Sequence, residues 1–331
     1  MQNANKQSSL NSIVDTNKTY NKNNSIIASN KRQKLMRDII RNKYIYLMLL
    51  PTIIFYIVFH YIPMYGVLIA FKDYKASRGI LGSPWAGLKY FKQFFGSYYA
   101  WRLIRNTLLI SVYQLIFSFP APILLALLLN ELKSEKFKRT VQTVSYLPHF
   151  ISTVVVVGFI VDFFAQKGLV NTVLASLGVK PISFLMEPKW FRPLYIGSGI
   201  WKGIGWNSII YLAAISGIDP TLYEAATVDG AGRFKQIMNV TIPSIMPTII
   251  ILLILQIGNM MSVGYQKIIL MYNESIYETA DVISTFVYRS GLQKAQYSYA
   301  AAIGLFNNII NFALIITANY ISRRVSETSL W

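Results

Sequence analysis

The sequence predicts an all-α membrane protein: six transmembrane helices, with a short polar helix on the cytoplasmic side between the fourth and fifth. Three observations predict it. Of 331 residues, 53% are hydrophobic and only 14% are charged, whereas a soluble domain carries about 25% charged residues. The apolar residues gather into six runs, each of roughly 20 residues or more, as a bilayer requires. One stretch, 219–247, is instead polar and punctuated like a small soluble helix.

In chain order, residues 1–30 are rich in Asn, Ser and Lys and lack hydrophobic periodicity, which predicts a disordered tail on the water side. A basic cluster follows (Lys31, Arg32, Lys34, Arg37, Arg41, Lys43), and it holds the N-terminus in the cytoplasm. The apolar run after it is long and lacks a small-residue cleavage site, so it reads as a retained span rather than a signal peptide. The expected spans are 44–70, 107–130, 144–164, 194–216, 246–271 and 299–321. This divides the chain into a basic tail (1–43), a first helix with an outer segment (44–106), a core (107–321) and a cytoplasmic C-terminal tail (322–331).

An even number of spans puts both termini on one side, and Arg323–Arg324 after the last span agrees with a cytoplasmic C-terminus. The connection 131–143 carries Lys133, Lys136, Lys138 and Arg139 and falls inside. The outer segment 72–105 departs from this pattern with seven Lys or Arg. Its aromatic residues, Trp85, Phe91 and Trp101 among them, point to interfacial structure.

The net charge of +18 would suit nucleic acid if it were concentrated. It is spread over the connections, with no basic recognition helix or RNA-binding signature, so no nucleic-acid partner is expected. Membrane topology and anionic lipid account for it. There is no cysteine and there are only two histidines, His60 and His149, which excludes thiolate chemistry and a histidine-based metal site. Both histidines fall at span edges, where a structural role is expected.

The polar stretch has the chemistry of a helix start. Asp219 suits the N-cap, Pro220 the first helical position, and Ile218 is placed to staple onto Tyr223. Gly230 and Gly232 break the helix, and Pro243 and Pro247 mark entry to the next apolar run. The topology puts this stretch in the cytoplasm.

Within it, Glu224-Ala225-Ala226, three residues, Gly230, nine residues and Val240-Thr241-Ile242-Pro243 resemble the EAA signature of ATP-binding-cassette (ABC) importer permeases. That pattern ends in Ile-x-Leu-Pro, so the only departures are Val for Ile and Ile for Leu. The resemblance covers nearly the whole chain beyond the N-terminal tail. It is nearest the carbohydrate-uptake branch for lipo-oligosaccharides, aldouronates and polysaccharide fragments. Pro63-Met64-Tyr65-Gly66-Val67, Tyr277-Glu278-Thr279-Ala280-Asp281 and the ending Thr328-Ser329-Leu330-Trp331 carry that part.

The resemblance implies the type I ABC importer permease fold in a bacterial cell membrane, with the EAA stretch as a coupling helix seated in a cleft of an ATPase. It further implies a second homologous permease subunit, two copies of the ATPase and an extracellular solute-binding lipoprotein. No cofactor is expected on this chain, and ATP and Mg belong to the partner ATPase. In agreement, the chain has no Gly-x-x-x-x-Gly-Lys-Ser/Thr loop.

The expected ATPase-coupling residues are Tyr223, Glu224, Ala225, Ala226, Asp229, Gly230, Ala231 and Pro243. The alanines allow close approach, Leu222 and Tyr223 offer apolar anchors, Glu224 can pair across an interface, and Gly230 permits a sharp bend. A sugar path needs amides for hydroxyls and aromatic faces for rings. Trp201, Trp206, Asn207 and Tyr211 on span four supply these groups. Gln256, Asn259 and Tyr265 on span five do so too, with Asn307, Asn308 and Asn311 on span six. Taken singly, these amides read first as interhelical glue and the tryptophans as belt residues; as a group they fit an uncharged polar solute better than an ion.

Two rival classes remain: an ion-coupled carrier and a membrane-embedded enzyme acting on lipid-linked sugar. The scarcity of intramembrane carboxylates, with Asp162 alone in the third span, counts against the first. The second needs a cluster such as Glu274, Glu278 and Asp281, whose loop position favours solvation or docking of a binding protein. An ABC permease for a non-sugar solute is the third alternative.

Overall fold

A computed structural model describes residue 37 and residues 40–325 of the chain. They are almost wholly helical, without a β-strand among the described residues, and divide in the chain at Gly66–Val67 into two compact units. The expected tails 1–36 and 326–331 lie outside the described residues.

The first long helix, α1, is Lys43–Phe71. It is apolar around its whole circumference, the composition of a helix in lipid or in a large core. In the second unit, the chain folds back through one antiparallel bridge between Lys72 and Trp85, with Phe71 stacked on Trp85 (5.8 Å, 10°). Lys89 Nζ and Tyr90 Oη donate to Asp73 Oδ1 at 2.8 and 2.6 Å. These bonds, Lys89 first, hold the Asp73 carboxyl below its usual range. The basic aromatic segment is therefore ordered, and it is bonded to the C-terminal part of the chain through the Tyr74 N–H, which donates to Ser298 Oγ at 2.9 Å. It contains the short helix α2 (Lys89–Phe95), whose Phe94 is buried.

The helices that follow are α3 (Tyr98–Asn130), α4 (Glu135–Tyr146), α5 (Thr153–Phe164), α6 (Leu169–Ser176) and α7 (Pro188–Ser216). After them come α8 (Pro220–Val228), α9 (Arg233–Gly258), α10 (Tyr265–Met271), α11 (Ile283–Tyr288) and α12 (Tyr297–Val325). Helix α7 packs along α3 and α4, and α9 packs along α12. One apolar cluster joins α3, α5, α7 and α10 around Ile110, Val156 and Ile268; another joins α3, α7 and α9 around Ala126, Tyr211 and Ile245.

Among the described residues, five helices are long and apolar enough to cross a membrane: α1, α3, the pair α5–α6, α9 and α12. The expected fourth span lies in α7, which is 29 residues long but is not among the five, because Lys202 and Asn207 dilute its apolar content. Three spans differ most from expectation. The third span starts at Thr153 rather than 144, since residues 135–146 form a separate amphipathic helix, followed by the tight turn Leu147–Phe150 that contains Pro148. The second starts at Tyr98 rather than 107. The fifth is α9, not 246–271: the helix stops at Gly258, and residues 265–271 form α10.

Three prolines shape the long helices in one way. Pro63, Pro120 and Pro243 each follow, by two residues, a π-helical turn: Ile57–Tyr61, Gln114–Ser118 and Ile237–Thr241. A proline has no N–H to donate, and its ring crowds the carbonyl four residues earlier. Widening the preceding turn relieves the clash without ending the helix.

The second unit is held by a buried carboxylate. Asp281 has no exposed surface. It accepts from Arg289 Nη2 at 2.8 and 2.7 Å and from Thr285 Oγ1 at 2.9 Å, with Arg102 Nη2 at 3.4 Å. Asn106 of α3 donates to the carbonyls of Glu278 and Asp281, while its own carbonyl accepts from Arg192 of α7 at 3.0 Å. Solvation or partner docking, expected for Asp281, is therefore wrong: two guanidinium groups enclose it. Removing one partner of such a cluster leaves uncompensated buried charge, at about 3–5 kcal/mol.

Asp281→Ala is expected to lower the apparent melting temperature of the detergent-solubilised protein by roughly 10 °C; Lys89→Gln, which breaks a half-exposed ion pair, should leave it almost unchanged. A second contrast lies within α7. A Cβ on Gly205 would fall on the Ser145 carbonyl of α4, whereas one on Gly197 meets nothing within 4 Å. Thermal denaturation should show Gly205→Ala clearly destabilised and Gly197→Ala unaffected.

Candidate functional site

Two features concentrate polar chemistry: the α8 loop, and a set of adjoining cavities beside α7 and the end of α9. In the loop, Asp219 accepts from the Thr221 N–H at 2.9 Å, which caps α8 and holds the Asp219 carboxyl below its usual range. Pro220 occupies the first helical position, as expected. At the other end, the Gly230 N–H donates to Thr227 O (3.0 Å) and the Ala231 N–H to Ala226 O (2.9 Å). This is a Schellman closure with Gly230 in the left-handed region at φ 76°. The interval from Ala226 to Gly230 thus has a mechanical meaning: it is the distance from the last bonded turn to the residue that must reverse the chain.

The loop is fastened to α9. Tyr223 Oη and Thr241 Oγ1 lie 3.0 Å apart in a hydrogen bond, and Gln236 Nε2 donates to Thr227 Oγ1 and Ala231 O at 3.0 and 3.1 Å. Thr241 closes the π-helical turn that Pro243 follows. Pro243 therefore belongs to the base of α9, where it sets the wide turn to which α8 is tied.

No residue of α8 is buried. Leu222, Val228 and Phe234 are 47, 88 and 76% exposed, in a segment otherwise polar. Glu224, Ala225, Asp229 and Gly230 are exposed as well, while Ala226 and Ala231 are half-buried. Tyr223 differs from expectation: it is half-buried and holds α9 through its hydroxyl instead of offering an outward anchor. Val228 and Phe234 were missed, although each is an apolar side chain in a hydrophilic run.

The cavities begin where α9 ends. Residues 259–264 are non-helical, and their backbone is bonded from neighbouring helices. Ser111 of α3 donates to Met260 O, and Ser284 of α11 donates to Val263 O at 2.8 Å. The Met261 N–H donates to Asn311 Oδ1 of α12 at 2.8 Å, and Asn311 Nδ2 donates to Ser262 Oγ at 2.9 Å. Three polar cavities adjoin this break. One of about 280 Å³ is lined by Ser118, Asn207, Tyr211, Gln256 and Asn259 among others. A second, about 230 Å³, shares Gln256 and Asn259 and adds Ser111, Gln114 and Ser262. The third, about 540 Å³, shares Gln114, Asn207 and Gly264 and adds His149, Tyr195, Lys202, Tyr265 and Lys267.

Of the expected path residues, Asn207, Tyr211, Gln256, Asn259 and Tyr265 are brought together here. Others are not. Trp201 lines a separate apolar cavity of about 540 Å³ with Phe159 and Phe163. Trp206 stacks flat on His149 (4.4 Å, 6°). Asn311 is occupied by the broken backbone, Asn308 is exposed, and Asn307 lines none of these cavities, its Oδ1 being buried without a partner. His149, expected as merely structural, borders the largest of these three cavities. Gln114, Lys202 and Lys267 were missed because a single amide or lysine in an apolar run gives no sign of the direction it faces.

Three comparisons bear on this geometry. Residues 118–327 match the family model described as "Binding-protein-dependent transport system inner membrane component". The chain is 43% identical to the polygalacturonan/rhamnogalacturonan transport system permease protein YteP of Bacillus subtilis (strain 168), over 92% of this chain and 96% of that protein. It is 42% identical to protein LplB of the same organism, over the same shares. Among solved structures it is similar to a chain of a bacterial ABC transporter involved in the import of the acidic polysaccharide alginate, at 47% identity and a TM-score of 0.83, covering 88% of this chain and 99% of that one. The resemblance drawn from the spacing between Glu224 and Pro243 thus leads to the right family: the chain belongs to the binding-protein-dependent transport system inner membrane components, the permeases of ABC importers.

Proposed function

We propose that this chain is one permease subunit of an ATP-driven importer that carries oligosaccharides or polysaccharide fragments into a bacterial cell. The observation that carries this reading is α8: an exposed, doubly capped helix fastened through Tyr223 and Gln236 to the base of α9. A push on α8 is transmitted to α9, and so to the cavities at the far end of α9, as a movement of packed helices. Leu222, Val228 and Phe234 give an ATPase cleft its apolar contact, and Glu224 gives it a charged one. ATP and Mg sit on two copies of that ATPase. A second homologous permease completes the channel, and an extracellular solute-binding lipoprotein delivers the sugar.

In this reading α7 is the sixth crossing, and both termini are cytoplasmic. Its 29 residues extend about 43 Å, beyond the ~30 Å hydrocarbon core. Lys202 and Asn207 face the polar cavities, so its modest hydropathy suits a helix lining a path. Amides and aromatic rings around the cavities satisfy hydroxyls and sugar faces. The chain itself performs no covalent chemistry. The polysaccharide solutes of the similar permeases support the same solute class.

Leu222→Ser combined with Phe234→Ser is expected to reduce ATPase copurification by about tenfold, or ~1.4 kcal/mol, with the permease still inserted and folded. Gly230→Val, which forces a β-branched residue to φ 76°, should uncouple ATP hydrolysis from uptake. Unchanged copurification and ATP-driven uptake in both variants would refute the docking role. Uptake driven by an ion gradient without any ATPase would favour the carrier instead.

A further inference from the structure

The apolar cavity beside Trp201 has no part in the proposed solute path. This recess of about 540 Å³ lies between α5 and α7, with Phe159, Phe163 and Phe164 on one wall and Pro193, Leu194 and Trp201 on the other. Ser198 also borders it, but the Ser198 hydroxyl donates to the Leu194 and Tyr195 carbonyls of its own helix. Apart from the Trp201 indole, the walls keep no side-chain group to bond a sugar hydroxyl or a water. An apolar cavity of ~150 Å³ already stays dry and takes up a hydrocarbon, and this one is several times larger.

The two helices fix its depth. Lys202, at the midpoint of the 29-residue α7, donates to Thr153 Oγ1 at the start of α5. From that level the recess runs along α7 from Trp201 back to Pro193, and along α5 up to Phe164, its last residue. Pro193 to Trp201 spans about 12 Å of helix axis, against the ~15 Å that one leaflet contributes to a hydrocarbon core. The recess thus has the length and depth of the acyl chains of a single leaflet.

It also opens sideways. Phe159, Phe163 and Trp201 at its rim are 40, 47 and 45% exposed. The exposed positions of α5 from 154 to 161 are Val154, Val155, Gly158, Phe159 and Val161, all apolar. A helix from another subunit, 10–12 Å across, would need about 1,000 Å³ over the same length, roughly twice the space present. A hydrocarbon chain, about 4 Å wide at van der Waals contact, fits. Behind the recess stands Val156, which is buried and lines both this cavity and the polar one that holds Lys202 and Gln114.

We infer that the recess between α5 and α7 is a lipid site, filled by an acyl chain of a membrane phospholipid with its methyl end at Trp201 and its ester end at Phe163 and Phe164. This rests on the proposed crossing by α7 and goes beyond the solute and ATPase assignments. The chain packs α5 against α7 and supports Val156, a wall of the polar cavity, from behind.

The test uses the complete importer, with both permeases and the ATPase, in phosphatidylcholine vesicles. A fraction of the lipid carries a diazirine in one acyl chain, either next to the ester or next to the terminal methyl, and adducts are located by peptide mass spectrometry after irradiation. The methyl-end probe should mark Trp201 and the ester-end probe Phe163 and Phe164. Reversed or indistinct positions in the unaltered protein would overturn the site.

Gly197→Leu supplies the second arm. A Cβ at Gly197, which lines the recess, meets nothing within 4 Å, so the new side chain grows into the cavity without crowding a neighbour. Adducts at Trp201 and Phe163 should fall about tenfold, while those on α1, which has no buried residue from Lys43 to Tyr56, stay unchanged. Equal labelling in the variant would assign the adducts to lipid passing outside the recess and overturn the inference. Adducts at the exposed Ile209 of α7 with none in the recess would refute the site alone, as a second permease covering it would produce. Adducts on α5 with none anywhere on α7 would refute the crossing by α7, and the site with it.

Discussion

The constraint on which this structure depends is that no backbone N–H or C=O at membrane depth can go unpaired, because lipid offers no substitute for water. Wherever the chain departs from regular helix it must find another partner or change the helix. Pro63, Pro120 and Pro243 change it, through the π-helical turns that precede them. The break after Gly258 finds partners: Ser111, Ser284 and Asn311 bond the backbone of residues 260–263. The break after Gly258 lies at a cavity wall, lined by Asn259, Met260 and Ser262.

The polar residues in the apolar helices consequently divide into two groups. One group is occupied by structure: Asp281 with Arg289 and Arg102, Asn106 with the carbonyls of Glu278 and Asp281, and Asn311 with Met261. The other group, Asn207, Gln256, Asn259, Lys202 and Lys267, lines cavities. The Asp281 cluster joins α3, α7 and the segments on either side of α11.

Much of the fold was legible in the chain. Among the described residues, runs of apolar residues locate five helices long and apolar enough to cross a membrane, since lipid demands length and hydrophobicity and little else. The α8 loop was legible almost residue by residue. Caps are local chemistry: Asp219, Pro220 and Gly230 act on backbone groups within a few residues of themselves. The boundaries of the third and fifth spans were not legible. Hydropathy averages over windows and does not register the breaks at Pro148 and Gly258, the second of which is bonded from Ser111, 149 residues before Met260.

By itself the sequence determined the helical class and the existence of a capped polar helix, which rest on composition and on interactions within one helical turn, and it led to the family through the resemblance carried by the spacing from Glu224 to Pro243. Only the tertiary structure decided which polar side chains are used up by neighbours and which face open space. Trp201 and Asn311 looked as suitable for the path as Asn207, and Lys267 gave no signal at all. Direction decides the difference. The face a helix turns toward its neighbours, and whether a neighbour brings a carboxylate, is set by packing between segments far apart in the chain.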